Sequence, residues 1–155
     1  LSRLGDDRPA AEPVLAPEAW LGYWQGTADQ PPVPVRPASV AAAYRRRLVE
    51  AEVAAAALAA GAPYPVAAAG GDGWGVGQTL TARGVLTHAA HVAEGRIVSY
   101  KIWAPTDALF ADAGALTALL AGQQHASPAA ARQALNAAVL ALDPCLPYTL
   151  ELQDA

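Results

Sequence analysis

Two β-prone runs, Val85 to Val92 and Ile97 to Trp103, stand on either side of the tetrapeptide Ala93-Glu94-Gly95-Arg96. Strands joined by so short a turn can pair only by doubling back, so this stretch predicts an antiparallel hairpin. In the second run Val98, Tyr100 and Ile102 point one way, and Ile97, Ser99, Lys101 and Trp103 point the other. Gln78-Thr79-Leu80-Thr81 reads as a further strand. Helical patterns surround these runs, and the expected class is α+β, with helices packed around a small antiparallel sheet.

The clearest helix runs from Ser39 to Ala60. Val40, Tyr44, Leu48, Ala51, Ala55 and Leu58 fall on one stripe at three-to-four spacing. Ser39, after Pro37, suits the N-cap, and Gly61 followed by Pro63 stops the helix. Arg45, Arg46 and Glu50 lie largely off the stripe, which predicts a solvated face; Arg46 and Glu50, four apart, support the helix. A second helix is expected from about Asp107 to Ala121, with Thr106 as N-cap and Gly122 as stop. A third begins at Ser127-Pro128, carries the stripe Leu135, Ala138, Val139 and Leu142, and ends at Asp143-Pro144, because a residue before proline avoids the helical region.

Residues 1–38 form a proline-rich N-terminal segment, and 39–155 form the main domain. Pro31-Pro32-Val33-Pro34-Val35-Arg36-Pro37 reads as an extended connector. Before it, Trp20-Leu21-Gly22-Tyr23-Trp24 is expected to be a short helix docking its aromatics on the core; a ligand platform is the alternative. Gly70-Gly71-Asp72-Gly73-Trp74-Gly75-Val76-Gly77 reads as a flexible loop. It lacks the Gly-Lys-Ser/Thr and the following helix that a phosphate-cradling loop needs.

With 155 residues the chain suits one domain, and its single cysteine, Cys145, excludes a disulfide-rich scaffold and a Cys₄ or Cys₂His₂ zinc site built from this chain alone. Ten Lys+Arg stand against 14 Asp+Glu, and the one basic cluster is Arg45-Arg46-Arg47, so nucleic acid is not an expected partner. No run of 18 strongly apolar residues exists, which argues against membrane insertion. The N-terminus, with Arg3, Asp6, Asp7 and Arg8, has no apolar core of a secretory signal. His88 and His91 could chelate a metal on a helix, but on a strand this spacing sends them to opposite faces. His125 is expected in a solvated loop. No nucleophile-base-acid set is visible.

Three further elements carry more information. Thr81-Ala82-Arg83-Gly84-Val85-Leu86-Thr87-His88 is followed by Gly95-Arg96-Ile97-Val98-Ser99-Tyr100-Lys101-Ile102-Trp103-Ala104-Pro105-Thr106. Leu142-Asp143-Pro144-Cys145-Leu146-Pro147-Tyr148-Thr149-Leu150-Glu151 closes the set. In this order they resemble the C-terminal part of the nickel-iron hydrogenase large subunit, with its A-P-R-G-x-L-x-H, G-x-I-x-x-Y-Q-x-x-x-P-T and D-P-C-x-x-C-x-x-H motifs. The resemblance covers residues 75–151, and implies the fold of that C-terminal part.

The departures matter as much. The second cysteine of the terminal motif is Tyr148 here, the histidine is Glu151, and the partner motif R-x-C-G-x-C is absent. A nickel-iron centre of this kind needs four thiolates and this chain offers one, so hydrogen turnover is not expected. The chain is more similar to the family of hydrogenase expression/formation protein HupK, which resembles a shortened large subunit with degenerate metal motifs. That resemblance implies a cytoplasmic accessory or scaffold protein that holds an iron-cyanide-carbonyl unit, with nickel a lesser candidate. The implied partners are hydrogenase maturation proteins or a hydrogenase subunit.

By the same resemblance Cys145 falls on the bridging cysteine, with Asp143 and Pro144 as motif neighbours. Arg83 falls on the arginine that projects toward the iron ligands; the alternative is a hairpin-end arginine paired with an acid. Pro105 and Thr106 fall on the loop lining the iron-ligand pocket, where Thr106 can equally be a helix cap. Cys145, Arg83 and the Pro105-Thr106 loop are expected to converge on one concave site. Two other readings stay open: a fragment of a hydrogenase large subunit, an oxidoreductase, and a metal-free interaction domain.

Overall fold

The computed structural model describes residues 14–32 and 36–152. The connector expected over residues 31–37 falls partly outside the described residues, and the charged stretch Arg3 to Arg8 wholly so. The order of elements is α1 (Pro17–Trp24), α2 (Val40–Ala60), β1 (Val66–Gly71), β2 (Trp74–Thr81), β3 (Gly84–Ala93), β4 (Arg96–Trp103), α3 (Pro105–Phe110), α4 (Gly114–Leu120) and α5 (Pro128–Leu142). The four strands form one antiparallel meander in the order β1-β2-β3-β4. The class is α+β, as expected.

The β3–β4 hairpin forms where the sequence places it, with Glu94 and Gly95 at φ 51° and 72°. Positive φ at both central residues matches the right-handed twist of the flanking strands. The glycine-rich run is the first correction: it is the β1–β2 hairpin, not a loop. Asp72 and Gly73 turn it at φ 51° and 80°, and Gly71 pairs with Trp74. Glycines dilute the alternation that marks a strand, but pairing on both sides supplies the backbone hydrogen bonds β2 needs.

Paired residues share a face of a sheet, and the register assigns every strand position except Val98, which the irregularity between His91 and Val92 leaves without a partner. Trp74, Val76 and Gln78 of β2 lie with Thr87, Ala89 and His91 of β3 and with Lys101 and Trp103 of β4. On this face α1 docks. Trp20, 6% exposed, packs on Val76 and Ala89. Its ring centroid lies 5.1 Å from that of Trp103 and 4.9 Å from that of Trp24. Buried Gln78 ties the layers: its Oε1 accepts from the Ala16 N–H at 2.7 Å and its Nε2 donates to Thr87 Oγ1 at 2.8 Å. The aromatic cluster is thus a helix on the core. His88 and His91 fall on opposite faces: His91 stacks on Trp74 at 4.8 Å, and His88 Nδ1 lies 2.6 Å from Tyr100 Oη.

A second core joins the helices. Ala43, Leu109, Ala115, Leu119, Ala138, Ala141 and Leu142 are its buried members, with Val40 and Tyr44 packed against it. The caps of α2 and α5 form as expected: Ser39 Oγ accepts from Ala42 N–H at 3.0 Å and Ser127 Oγ from Ala130 N–H at 3.2 Å. Gly61 takes the left-handed conformation at φ 62° that ends α2.

The expected stripe of α2 holds at Val40 and Tyr44 and is corrected from Leu48 onward. Its buried residues are Ala41, Ala42, Ala43 and Glu50, whereas Leu48 is half exposed and Leu58 is 84% exposed. The helix's second half, mostly alanine, offers too little apolar area to recruit a neighbour. Glu50, expected in solvent, is buried, and the Arg46 side chain beside it is only 11% exposed. The single helix expected over residues 107–121 is two, α3 and α4. Its N-cap is Ala104 rather than Thr106: Asp107 Oδ2 accepts from the Ala104 N–H at 2.9 Å. Between the two helices, Asp112 Oδ1 accepts from Gly114 N–H at 2.6 Å, a local bond that competes with helix continuation.

Candidate functional site

At its C-terminus α5 ends on Asp143, held at φ 55° and ψ 61° before Pro144. A non-glycine residue in this left-handed region is uncommon and costs energy, so the surroundings must hold it. They do so with arginines. Arg83 Nε donates to the Asp143 carbonyl at 2.8 Å and lies 3.0 Å from Asp143 Oδ2. Arg47 Nη2 donates to the carbonyls of Leu140 and Ala141 at 3.0 and 2.6 Å. These carbonyls have no helical partner of their own, and the cations sit at the negative end of the helix dipole.

Past Pro144 the chain exposes Cys145. Thr106, freed from capping because α3 starts at Pro105 with Ala104 as its N-cap, brings Oγ1 to 3.9 Å from Cys145 Sγ. The two open onto a groove of about 620 Å³, whose walls include Phe110, Leu116, Val139, Pro147 and Leu150. The tail forms one bank of it: Tyr148 Oη donates to Asn136 Oδ1 at 3.1 Å and Arg132 Nη1 to the Leu150 carbonyl at 2.9 Å. Tyr148 therefore braces the tail on α5. Glu151 is exposed.

Arg83 and Pro105 line a different space. A cavity of about 90 Å³ lies between α1, the sheet and α2, bounded also by Arg46, Gln78, Gly84 and Trp103. Gly84, at φ 137°, lets Pro105 close on the strand: a Cβ there would sit 3.3 Å from Pro105 Cβ. The expected single concave site is thus divided. Thr106 and Cys145 meet in the groove, Arg83 and Pro105 face the smaller cavity, and Asp143 bridges them through its contact with Arg83.

Behind the cavity lies the Arg46–Glu50 pair, which the sequence placed in solvent and the fold encloses. Arg46 Nη2 donates to the Arg83 carbonyl at 2.8 Å, while its Nε stands 3.6 Å from Glu50 Oε1. Both Glu50 oxygens, Arg46 Nε and Trp103 Nε1 are buried without a hydrogen-bond partner among the described residues. Burial, more than the Coulomb attraction of Arg46 that opposes it, pushes the Glu50 carboxyl above the ordinary carboxylate range. Burial likewise lowers the Arg46 guanidinium, against the pull of Glu50. The only trace in the sequence is the i,i+4 spacing, which a surface pair shares.

The soft donor here is one sulfur, Cys145 Sγ. Among the described residues no group of three or more His, Cys, Asp or Glu side chains is placed to hold a metal ion. The described side chains therefore form no closed coordination site of three or more such ligands. No helix of the described residues is long and apolar enough to cross a membrane.

Two curated proteins are similar to this chain. Hydrogenase expression/formation protein HupV of Azotobacter chroococcum mcd 1 is 36% identical over 90 residues, which is 58% of this chain and 26% of that protein. Hydrogenase expression/formation protein HupK of Azotobacter vinelandii is 36% identical over 94 residues, 60% of this chain and 27% of that protein. The chain thus spans about a quarter of the length of these relatives. No protein-family model matches it, and no solved structure does.

Proposed function

We propose that this chain serves hydrogenase expression and assembly as an accessory protein, and that it acts through the Cys145–Thr106 groove. The observation that carries the reading is the 3.9 Å approach of Cys145 Sγ to Thr106 Oγ1 at an open groove. The similarity to HupV and HupK supports the hydrogenase context. In the finer reading, part of a superfamily resemblance to the hydrogenase large subunit, the cargo is an iron-cyanide-carbonyl unit. Cys145 would offer it one thiolate, with the Thr106 hydroxyl beside it. A partner protein would complete the coordination, because the described residues supply no second soft donor. Maturation proteins or a hydrogenase subunit are the partners this implies, in the cytoplasm.

A metal-free interaction domain is the second reading. One observation favours it: Arg83, the cation expected to face iron ligands, spends its Nε on Asp143. Iron and nickel determination on anaerobically purified chain separates the two. Iron that is present in the native chain and lost in Cys145→Ser supports the cargo reading. Its absence from both leaves the interaction reading. Deletion of the chain from its host with hydrogenase activity unchanged would refute the assembly role itself.

A further inference from the structure

The cavity of about 90 Å³ between α1, the sheet and α2 holds more hydrogen-bond donors than acceptors. Trp103 Nε1 and Arg46 Nε are buried without a partner among the described residues, and both residues line the cavity. Arg46 Nε stands 3.6 Å from Glu50 Oε1, too far for a hydrogen bond. The side-chain acceptors on the wall are Gln78 Oε1 and Thr87 Oγ1. Each already accepts, the first from the Ala16 N–H and the second from Gln78 Nε2. Among the described residues no Asp, Glu or His lines the cavity, whereas Arg46 and Arg83 do. Much of the remaining wall is apolar, with Trp20, Val85 and Leu109. Buried donors in a folded protein are nearly always paired, and two unpaired ones beside one cavity point to what the cavity takes up. At about 30 Å³ for each water, it admits roughly three or four non-hydrogen atoms.

We propose that this cavity binds a small monocarboxylate, an acetate-sized anion whose oxygens accept from Trp103 Nε1 and Arg46 Nε and whose methyl group lies on the apolar wall. Two donors select an acceptor with two oxygens. The guanidinium selects an anion, because a hydrogen bond to an ionised acceptor is about twice as strong as one to a neutral acceptor. The apolar wall selects a carboxylate over a hydroxylated oxyanion, whose hydroxyl would find no free side-chain acceptor there. Glu50 is not on the wall, and burial holds its carboxyl toward the neutral form, which leaves the Arg46 charge to the ligand. Val14, 75% exposed, lines the cavity and marks the side from which the ligand enters. The site is separate from the Cys145 groove and stands or falls apart from the cargo reading.

The test titrates the full chain, ¹⁵N-labelled in tryptophan, with sodium acetate and separately with acetamide, at matched ionic strength. Acetamide matches acetate in size and carries no charge. The indole N–H resonance of Trp103 reports on its own hydrogen bond. Acetate is expected to move it saturably, with a dissociation constant of about 0.1–10 mM, and acetamide to bind at least about tenfold more weakly. The Trp74 indole, which does not line the cavity, should stay in place. Val85→Leu adds a methylene to the wall and should weaken acetate about fivefold or more. Arg46→Met/Glu50→Leu removes the charged donor without leaving a buried charge unpaired, and should weaken it about tenfold or more. A Trp103 resonance that acetate does not move overturns the proposal and leaves the cavity to water. Equal affinity for acetamide overturns it in favour of a neutral acceptor. Acetate binding indifferent to Val85→Leu or to the double variant overturns it as well, by placing the anion elsewhere. The comparison of the two probes on the native chain needs no variant, so it decides even where a variant fails to fold.

Discussion

The buried Arg46–Glu50 pair makes a sharp thermodynamic prediction. Both side chains are about nine-tenths buried, with Arg46 Nε 3.6 Å from Glu50 Oε1 and no hydrogen bond between them. At an effective dielectric near 20, Coulomb's law gives about 4–5 kcal/mol of attraction at that distance. Desolvation costs several kcal/mol per ion, and here no hydrogen bond satisfies the carboxylate, so the net contribution is near zero or unfavourable. Glu50→Leu alone leaves the Arg46 charge buried and should destabilise by about 3 kcal/mol. Arg46→Met should cost at least as much, because the Arg83 carbonyl also loses its donor. The double variant Arg46→Met/Glu50→Leu should fall within about 1 kcal/mol of the native chain, or exceed it. Urea unfolding followed by tryptophan fluorescence measures all four corners, since Trp20, Trp24, Trp74 and Trp103 surround the sheet core. Single-variant losses that are each below about 1 kcal/mol and simply add would refute the account, for they would mean a solvated, uncoupled pair.

The same carboxyl sets a pH dependence. Its folded-state pKa lies above the unfolded one, so the folded state holds the proton more tightly. Its contribution to stability is present below the unfolded carboxylate pKa and lost as pH rises through the folded value. Denaturant midpoints should fall across that window, and Glu50→Gln should flatten the fall; an unchanged profile would contradict it. Gly73→Ala should destabilise by more than about 1 kcal/mol in thermal melts, because φ is 80° and the new Cβ would stand 2.8 Å from the Val92 carbonyl oxygen. Trp20→Ala should cost about 3–5 kcal/mol, as a buried aromatic linking helix to sheet, and a loss under about 1 kcal/mol would show that α1 is not held by the sheet. Cys145 should react with a maleimide in the folded chain at a rate near that of the urea-unfolded chain, because it is exposed.

Local chemistry was legible in the sequence wherever a few neighbouring residues decide the outcome. Glu94-Gly95 dictates the β3–β4 turn, Ser39 and Ser127 cap α2 and α5, Asp143-Pro144 ends α5, and the three-residue spacing of His88 and His91 separates them across the sheet. Asp72-Gly73 carries the same turn signal, masked by the surrounding glycines. The tertiary structure alone decided what depends on elements far apart in the chain. The pairing of β1 with β2 turned a glycine-rich run into strands. The packing of α2 buried Glu50 and left Leu58 in solvent. Arg83 came to cap a helix end sixty residues downstream, and Thr106 came to meet Cys145 at the groove. A short motif fixes a backbone angle within a few residues, through sterics and local hydrogen bonds. Which side chains share a cavity is set by how layers close on one another, and no spacing in the sequence encodes that distance.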